Sequence, residues 1–219
     1  MLALGAANAP AADPAKVADI GKVELASSPI SNKGIVYFPV LNRVNKDDGS
    51  VVYSGALWQS DGTSAGTKKV KDFGEGTSIV ALSNNKGKIY LGVSVTTKSA
   101  DGSTTVAEQL HISDGTEKGT TKLADFGAGT AVDFLTPIRE LVDFAVTTTK
   151  TNSDGTTTSS SALWKSDGTA AGTKVIKDLG ADVTITGVQM NKGTLYMTVK
   201  TVVKNSDGTT ATTYSVWKY

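Results

Sequence analysis

The sequence predicts an all-β fold, a four-bladed β-propeller with four antiparallel strands in each 53-residue blade. The first observation is a recurring phrase: LWQSDGTSAGTKKVKDFG at 57–74, LHISDGTEKGTTKLADFG at 110–127 and LWKSDGTAAGTKVIKDLG at 163–180. The second is that the spacing between copies stays at 53 residues along the chain. The third is that apolar residues alternate at strand spacing between glycine turns, with no stretch of helical period. Four repeats of four strands indicate a propeller.

Each repeat divides into four predicted strands, which in the second copy lie near 77–84, 87–97, 106–113 and 119–126. Asn-Lys-Gly links the first strand to the second, and an Asp-Gly pair links the second to the third. Glycine permits the positive φ of a tight hairpin turn, so each link predicts an antiparallel pair.

The fourth copy is divided between the two ends of the sequence. We predict one domain, 13–219, because residues 192–219 match the first part of a repeat and residues 14–32 match the part that follows. We therefore expect an N-terminal strand at 13–20 to complete the C-terminal blade and close the ring. The same strand of a neighbouring molecule would fit that position equally well, which would give strand exchange. The predicted blades are 23–73, 76–126, 129–179, and 182–219 with 13–20.

Residues 1–12 precede the first predicted strand and are rich in small side chains. They include an Ala-x-Ala-like stretch, but they lack a basic start and a full apolar core. We interpret them as a flexible arm or as the remnant of a signal peptide.

Two sets of recurrent residues are predicted to be structural. Trp58, Trp164 and Trp217 share one register position and are expected to pack between blades, with sugar stacking as the weaker alternative. Each SDGT phrase is expected to form a turn in which the Asp side chain accepts backbone N–H groups. The turn residues are Asp61, Gly62, Asp114, Gly115, Asp167 and Gly168. We predict no cofactor; calcium is the weaker alternative, because each loop offers one carboxylate where calcium needs six to eight oxygens.

The SDGT phrase preceded by Leu-Trp resembles the bacterial ELWxxDGT-repeat proteins, which are secreted or surface proteins. Residues 163–169 match this pattern after its leading Glu, which is Ala162 here, and the second copy has His111 in place of Trp. The resemblance implies export and a role at the cell surface or in an extracellular matrix. It supplies no catalytic residues.

The third copy departs from the others at one predicted hairpin, where four charged residues cluster. Elsewhere these positions hold Val, Thr or Ser, then Lys-Gly, then Tyr. We expect the two aspartates to share a sheet face as diagonal neighbours. The sequence leaves two readings open, a ligand site and an ion-paired contact site. The residues are Asp133, Arg139, Glu140 and Asp143.

Composition excludes several function classes. The net charge of +1, from 22 basic and 21 acidic residues, provides no field for nucleic acid. The absence of cysteine excludes thiolate catalysis. No apolar run reaches the ~20 residues that span a bilayer, so we expect no membrane insertion. The single histidine, His111, stands at a Trp position without a nucleophile signature, which favours a structural role.

From these observations we predict a non-catalytic extracellular module of a bacterial surface, biofilm matrix or filament. Its expected partners are further copies of itself, other surface or matrix components, or a glycan. The alternatives are a carbohydrate-binding propeller and a glycosidase or lyase; the second would need acidic residues that converge on one site, for which only the third copy offers candidates. The leading hypothesis predicts no enzymatic activity.

Overall fold

A computed structural model describes residues 15–219 of the chain. These residues form sixteen β-strands in four antiparallel sheets, with no helix. The prediction of an all-β fold of antiparallel sheets is therefore confirmed. Closure of four blades into one ring stays a prediction.

The sheets follow one another along the chain. Sheet 1 contains β1 (Val23–Leu25), β2 (Ile30–Asn32), β3 (Ile35–Asn45), β4 (Val51–Ser60) and β5 (Lys68–Glu75). Sheet 2 contains β6 (Thr77–Asn85), β7 (Lys88–Lys98), β8 (Thr104–Ser113) and β9 (Thr121–Ala128). Sheet 3 contains β10 (Thr130–Ile138), β11 (Leu141–Thr151), β12 (Thr157–Ser166) and β13 (Lys174–Ala181). Sheet 4 contains β14 (Val183–Asn191), β15 (Thr194–Lys204) and β16 (Thr210–Lys218).

Tight turns connect the strands because the sequence supplies residues that tolerate positive φ. In the turn between β2 and β3, Lys33 and Gly34 have φ values of 51° and 78°. A two-residue turn with positive φ at both positions matches the right-handed twist of the flanking strands. The same Lys-Gly pair forms the β6–β7 and β14–β15 turns.

The core lies at the junctions between consecutive sheets. At the junction of sheets 1 and 2, Leu57 of β4 is in one buried cluster with Ile79 and Ile89, and all three are 0% exposed. Aliphatic residues at the repeat-equivalent positions fill the next two junctions, so each sheet covers the apolar face of its neighbour. We call these positions the junction triads: Leu57, Ile79 and Ile89; Leu110, Val132 and Val142; Leu163, Ile185 and Leu195.

The prediction of an N-terminal strand at 13–20 is wrong for the residues that the structure describes. Residues 15–22 form no strand, and sheet 4 has three strands, with β16 paired to β15. In sheets 1 to 3 the last strand, which is β5, β9 or β13, follows its partner across a short turn. Residues 15–22 are separated from β16 by almost the whole chain, which adds about 3 kcal/mol of loop-closure entropy to this pairing relative to a short turn. Residues 13 and 14, and the predicted arm 1–12, lie outside the described residues.

The three tryptophans have different environments although they share one register position. Trp164 contacts Phe126 and Phe144, with ring centroids 5.2 Å and 6.3 Å away. Trp58 is half-buried. Trp217 lies on β16 and is 40% exposed, so the expected blade packing does not hold there; among residues 15–219 no further sheet covers this side of β16.

The SDGT turns fasten one sheet to the next, which two glycine variants can test. Gly62 and Gly168 have φ values of 89° and 88°, so alanine at either costs about 1–2 kcal/mol of backbone strain. A Cβ on Gly62 would meet nothing within 4 Å, whereas one on Gly168 would lie 3.0 Å from the Tyr90 hydroxyl and 2.9 Å from Ile112. We expect Gly168→Ala to lower the free energy of unfolding more than Gly62→Ala, measured by urea denaturation. Equal losses would show that the turn does not transmit packing between sheets.

Candidate functional site

Three of the four charged residues predicted in the third copy line one cavity. This cavity, of about 430 Å³, lies between sheets 3 and 4. Arg139, Glu140 and Asp143 belong to the β10–β11 hairpin, and Lys165 of β12 adds a second basic side chain. The remaining lining residues are largely apolar: Ile138, Leu141, Gly193, Leu195 and Tyr219.

Asp143 is the buried acid of this cavity. It lies on β11 opposite Thr136 of β10 and Lys165 of β12, and it is 4% exposed. Burial raises the pKa of Asp143 to about 6, and the positive charge of Lys165 opposes this shift only in part. A carboxyl group with this pKa exchanges a proton near neutral pH.

Asp143 stands at the position that tyrosine holds in the other three copies. Tyr37 of sheet 1 and Tyr90 of sheet 2 are buried, and their hydroxyls lie against Gly115 and Gly168, in the SDGT turn of the following sheet. Tyrosine therefore fills the space between one sheet and the next turn. Asp143 instead lines the cavity between sheets 3 and 4, to which sheet 4 contributes Gly193, Leu195 and Tyr219.

Tyr219 forms the opposite wall of the cavity and has a fixed backbone. Its N–H donates to the carbonyl of Leu195 at 2.9 Å, and the N–H of Leu195 donates to the carbonyl of Tyr219 at 3.1 Å. This pairing continues the β15–β16 ladder, so Tyr219 is held at the edge of sheet 4.

The hairpin turn of the third copy differs from the other three because Glu140 replaces glycine. Arg139 keeps the positive φ of its lysine equivalents, at 53°, but Glu140 is not in the positive-φ region. The Glu140 carboxylate forms an ion pair with Lys86, in the turn of the preceding sheet. Both side chains are exposed, so the pair adds little stability. It orients Glu140 at the rim of the cavity.

Asp133 is not part of the cavity lining. It is exposed on β10 opposite Ala145, whereas Thr136 lies opposite Asp143. Ala145 is two residues from Asp143 on β11, so the register keeps the two aspartates as diagonal neighbours, and a β-bulge between Asp133 and Thr136 inserts one extra residue beside them. Bulges at the equivalent place in β6 and β14 show that this is a property of the repeat.

Glu108 is a buried acid that the sequence reasoning missed. It is 8% exposed on β8, and its carboxylate accepts the N–H of Val132 from sheet 3 at 2.5 Å. At the next junction the Ser161 hydroxyl accepts the N–H of Ile185 at 3.0 Å. Burial raises the pKa of Glu108, the Val132 hydrogen bond opposes this, and the charge of Asp133 adds to the rise. The equivalent position holds a different residue in each of the first three copies, namely Gly55, Glu108 and Ser161. This variation within a regular repeat is a signal that could have identified Glu108 from the sequence.

The predicted turn aspartates are engaged within their own loops. Asp61 Oδ1 accepts the Thr63 N–H at 2.9 Å and the Thr63 hydroxyl at 2.7 Å, and the pattern recurs at Asp114 and Asp167. Among the described residues, no group of three or more His, Asp or Glu side chains could hold a metal ion.

His111 packs against the edge of Phe73, with ring centroids 5.2 Å apart. Burial lowers its pKa to about 4, so the ring is neutral at pH 7. Residues 15–219 contain no helix that is long and apolar enough to cross a membrane.

Comparison with protein families and with curated proteins finds no match. Among solved structures, the chain is similar to MPT-4, a mannose phosphorylase from Leishmania mexicana, with 11% identity and a TM-score of 0.44 over 92% of this chain and 65% of that one. It is also similar to a GH43_1 enzyme from Xanthomonas citri, with 10% identity and a TM-score of 0.34 over 85% and 89%. An exo-1,5-α-L-arabinanase from a bovine ruminal metagenomic library gives 11% identity and a TM-score of 0.27 over 84% and 76%. These values do not place the chain in a family.

The comparisons correct the leading functional prediction. The sequence predicted a non-catalytic extracellular structural or interaction module, whereas the similar structures are a phosphorylase, a GH43_1 enzyme and an arabinanase. The prediction failed because it rested on the regular part of the repeat, which concerns packing and turns.

The buried carboxyl of Glu108 predicts a specific dependence of stability on pH. Because its pKa is raised in the folded state, its contribution is complete below the ordinary pKa of a glutamate and is lost as the pH rises through the raised value. Glu108→Ser introduces the residue found at the next junction, and serine can keep a hydrogen bond to Val132. We expect this variant to lose less unfolding free energy than the wild type between about pH 4 and pH 8. Denaturation at both pH values measures this; parallel losses would contradict it.

Proposed function

We propose that the cavity between sheets 3 and 4 is a carbohydrate site of the glycosidase type, in which Asp143 donates a proton to the leaving group. The observation that carries this proposal is the buried carboxyl of Asp143, with a pKa of about 6, in a cavity of about 430 Å³. Hydrolysis of a glycosidic bond requires a carboxylic acid that still holds its proton near neutral pH. The proposal reverses the expectation that the chain has no enzymatic activity.

Glu140 is the second carboxylate that such a reaction requires. It lies in the turn that precedes β11 and lines the same cavity as Asp143. Enzymes that invert the sugar configuration hold their two carboxyl groups roughly 6.5–9.5 Å apart, which leaves room for a water molecule. In this arrangement Glu140 accepts a proton from the attacking water while Asp143 protonates the departing oxygen.

The remaining lining residues suit a sugar ring. Leu195 and the Tyr219 ring offer an apolar wall for the C–H face of the sugar, and the side chains of Arg139 and Lys165 offer donors to its hydroxyls. The cavity volume lies within the usual range of small-ligand sites.

We also propose that each sheet is one propeller-type blade. This is supported by the way each sheet packs through a junction triad on the sheet that follows it. The number of blades in a ring depends on what covers the outward faces of sheets 1 and 4. Export to the cell surface and binding of a glycan stay predictions.

Hydrolysis assays with variants test the site. We expect the wild type to hydrolyse members of a panel of aryl glycosides and oligosaccharides, with a rate that falls as the pH rises through about 6, because Asp143 then loses its proton. Asp143→Asn should lower this rate by about 100-fold or more. Asp143→Tyr, which restores the residue of the other copies, should close the cavity and abolish binding.

Two further variants serve as controls. Glu140→Gly gives the turn its usual glycine, so a loss of activity with retained stability would assign Glu140 to the reaction. Asp133→Asn changes an acid of the same sheet outside the cavity and should leave the rate unchanged. Absence of both turnover and binding across the panel, the latter measured by saturation-transfer NMR, would overturn the proposal.

A further inference from the structure

The two ends of the array of sheets expose the positions that every internal junction buries. Val216 on β16 is equivalent to Leu57, Leu110 and Leu163, which are at most 1% exposed, yet Val216 is 71% exposed. Val36 on β3 is 41% exposed, and its equivalents are also at most 1% exposed: Ile89, Val142 and Leu195. We call the outward surface around Val216 the sheet-4 face and the outward surface around Val36 the sheet-1 face.

The two faces are complementary halves of one further junction. Each internal triad joins one residue of a sheet to two residues of the following sheet. At the first junction, for example, Leu57 is on β4, and the two residues from sheet 2 lie on β6 and β7. Val216 supplies the first of these positions and Val36 supplies one of the other two; Ala26 is the repeat equivalent of Ile79, but it lies outside β1 and β2. Burial of such apolar groups is favourable in proportion to the area removed from water.

The first strand of sheet 1, formed by β1 and β2, also pairs with β3 in a register that differs by one residue from the other sheets. In sheet 1, Val23 lies opposite Asn42. In sheets 2, 3 and 4 the equivalent of Asn42 lies opposite the equivalent of Glu24 instead, for example Val95 opposite Thr77. The strand is divided into β1 and β2, while its equivalents β6, β10 and β14 are continuous. A one-residue slip exchanges the two faces of a strand, and packing against a neighbour normally prevents it. Sheet 1 therefore lacks the partner that sets the register elsewhere.

Tyr214 marks the same surface from the other side. It is 70% exposed, and it occupies the position of Gly55, Glu108 and Ser161. Each of these three residues contacts the first strand of the following sheet, which is β6, β10 or β14. Gly55 packs on Ser78, whereas Glu108 and Ser161 accept backbone N–H groups. The sheet-4 face thus presents a complete row of contact positions without a sheet to receive them.

We infer that a second copy of this chain covers these faces, with the sheet-4 face of one copy packed on the sheet-1 face of the next. The contact repeats the geometry of the internal junctions, and within one chain both faces stay exposed. Within the chain, β9 lies beside β8 and leads directly into β10 of the following sheet. In the same way, residues 15–22 of the second copy lie beside the free edge of β16 and lead into the β1 of that copy. The interface is heterologous, so the copies associate head to tail. This inference is independent of the carbohydrate site.

Two charge variants test the inference by sedimentation velocity. Val36→Lys blocks only the sheet-1 face and Val216→Lys blocks only the sheet-4 face, and both positions are exposed enough for the variants to fold. We expect the wild type to form species larger than the 22.6 kDa chain as its concentration rises. Each variant alone should stay monomeric. An equimolar mixture should form a 1:1 dimer and nothing larger, because one intact face of each kind remains.

Control variants separate this result from other outcomes. Val44→Lys places a charge on another exposed valine of β3, whose equivalent in sheet 3 is Lys150, and it should leave association unchanged. In a Val36→Cys, Val216→Cys double variant, disulfides should join different chains. A disulfide within one chain would show that the chain closes its own ring and would overturn the inference. Association that survives Val36→Lys and Val216→Lys, or a wild type that stays monomeric at all concentrations, would also overturn it.

Discussion

Burial of the junction triads is the interaction on which the rest of this structure depends. A β-sheet has an apolar face that it cannot cover alone, and here the following sheet covers it. Leu57, for example, is removed from water by Ile79 and Ile89 of the next sheet. One repeat cannot bury its apolar face alone, so each sheet depends on the sheets next to it. The tight turns serve this requirement, since they hold each sheet in register with the next.

The candidate site arises where one copy departs from that regular packing. Tyr37 and Tyr90 fill the space beside the following SDGT turn, whereas Asp143, at the equivalent position of sheet 3, lines the cavity between sheets 3 and 4. Glu140 replaces a turn glycine and gives up the positive φ found there in the other copies. A few substitutions in one hairpin can thus bring charged groups to one junction, because the other copies continue to stabilise the fold.

The junctions also differ in their polar contacts, with consequences for electrostatics. The position that is glycine at the first junction is a buried glutamate at the second and a serine at the third. All three lie against the innermost strand of the next sheet, but only Glu108 brings an ionisable group into the interface. The carboxyl is tolerated because it accepts a backbone N–H, and its raised pKa makes the stability of this junction depend on pH.

The sequence alone determined the repeat, the strands, the turns and the hairpin that carries Arg139, Glu140 and Asp143. These follow from local rules, namely the period-two alternation and the φ angles that glycine and aspartate allow. Only the tertiary structure decided that Asp143 is buried while Asp133 stays outside the cavity, that Glu108 caps a neighbouring strand, and that Val36 and Val216 remain exposed. Each of these outcomes depends on which surface lies opposite a residue. Strand periodicity assigns a side chain to a face, but it does not say what covers that face.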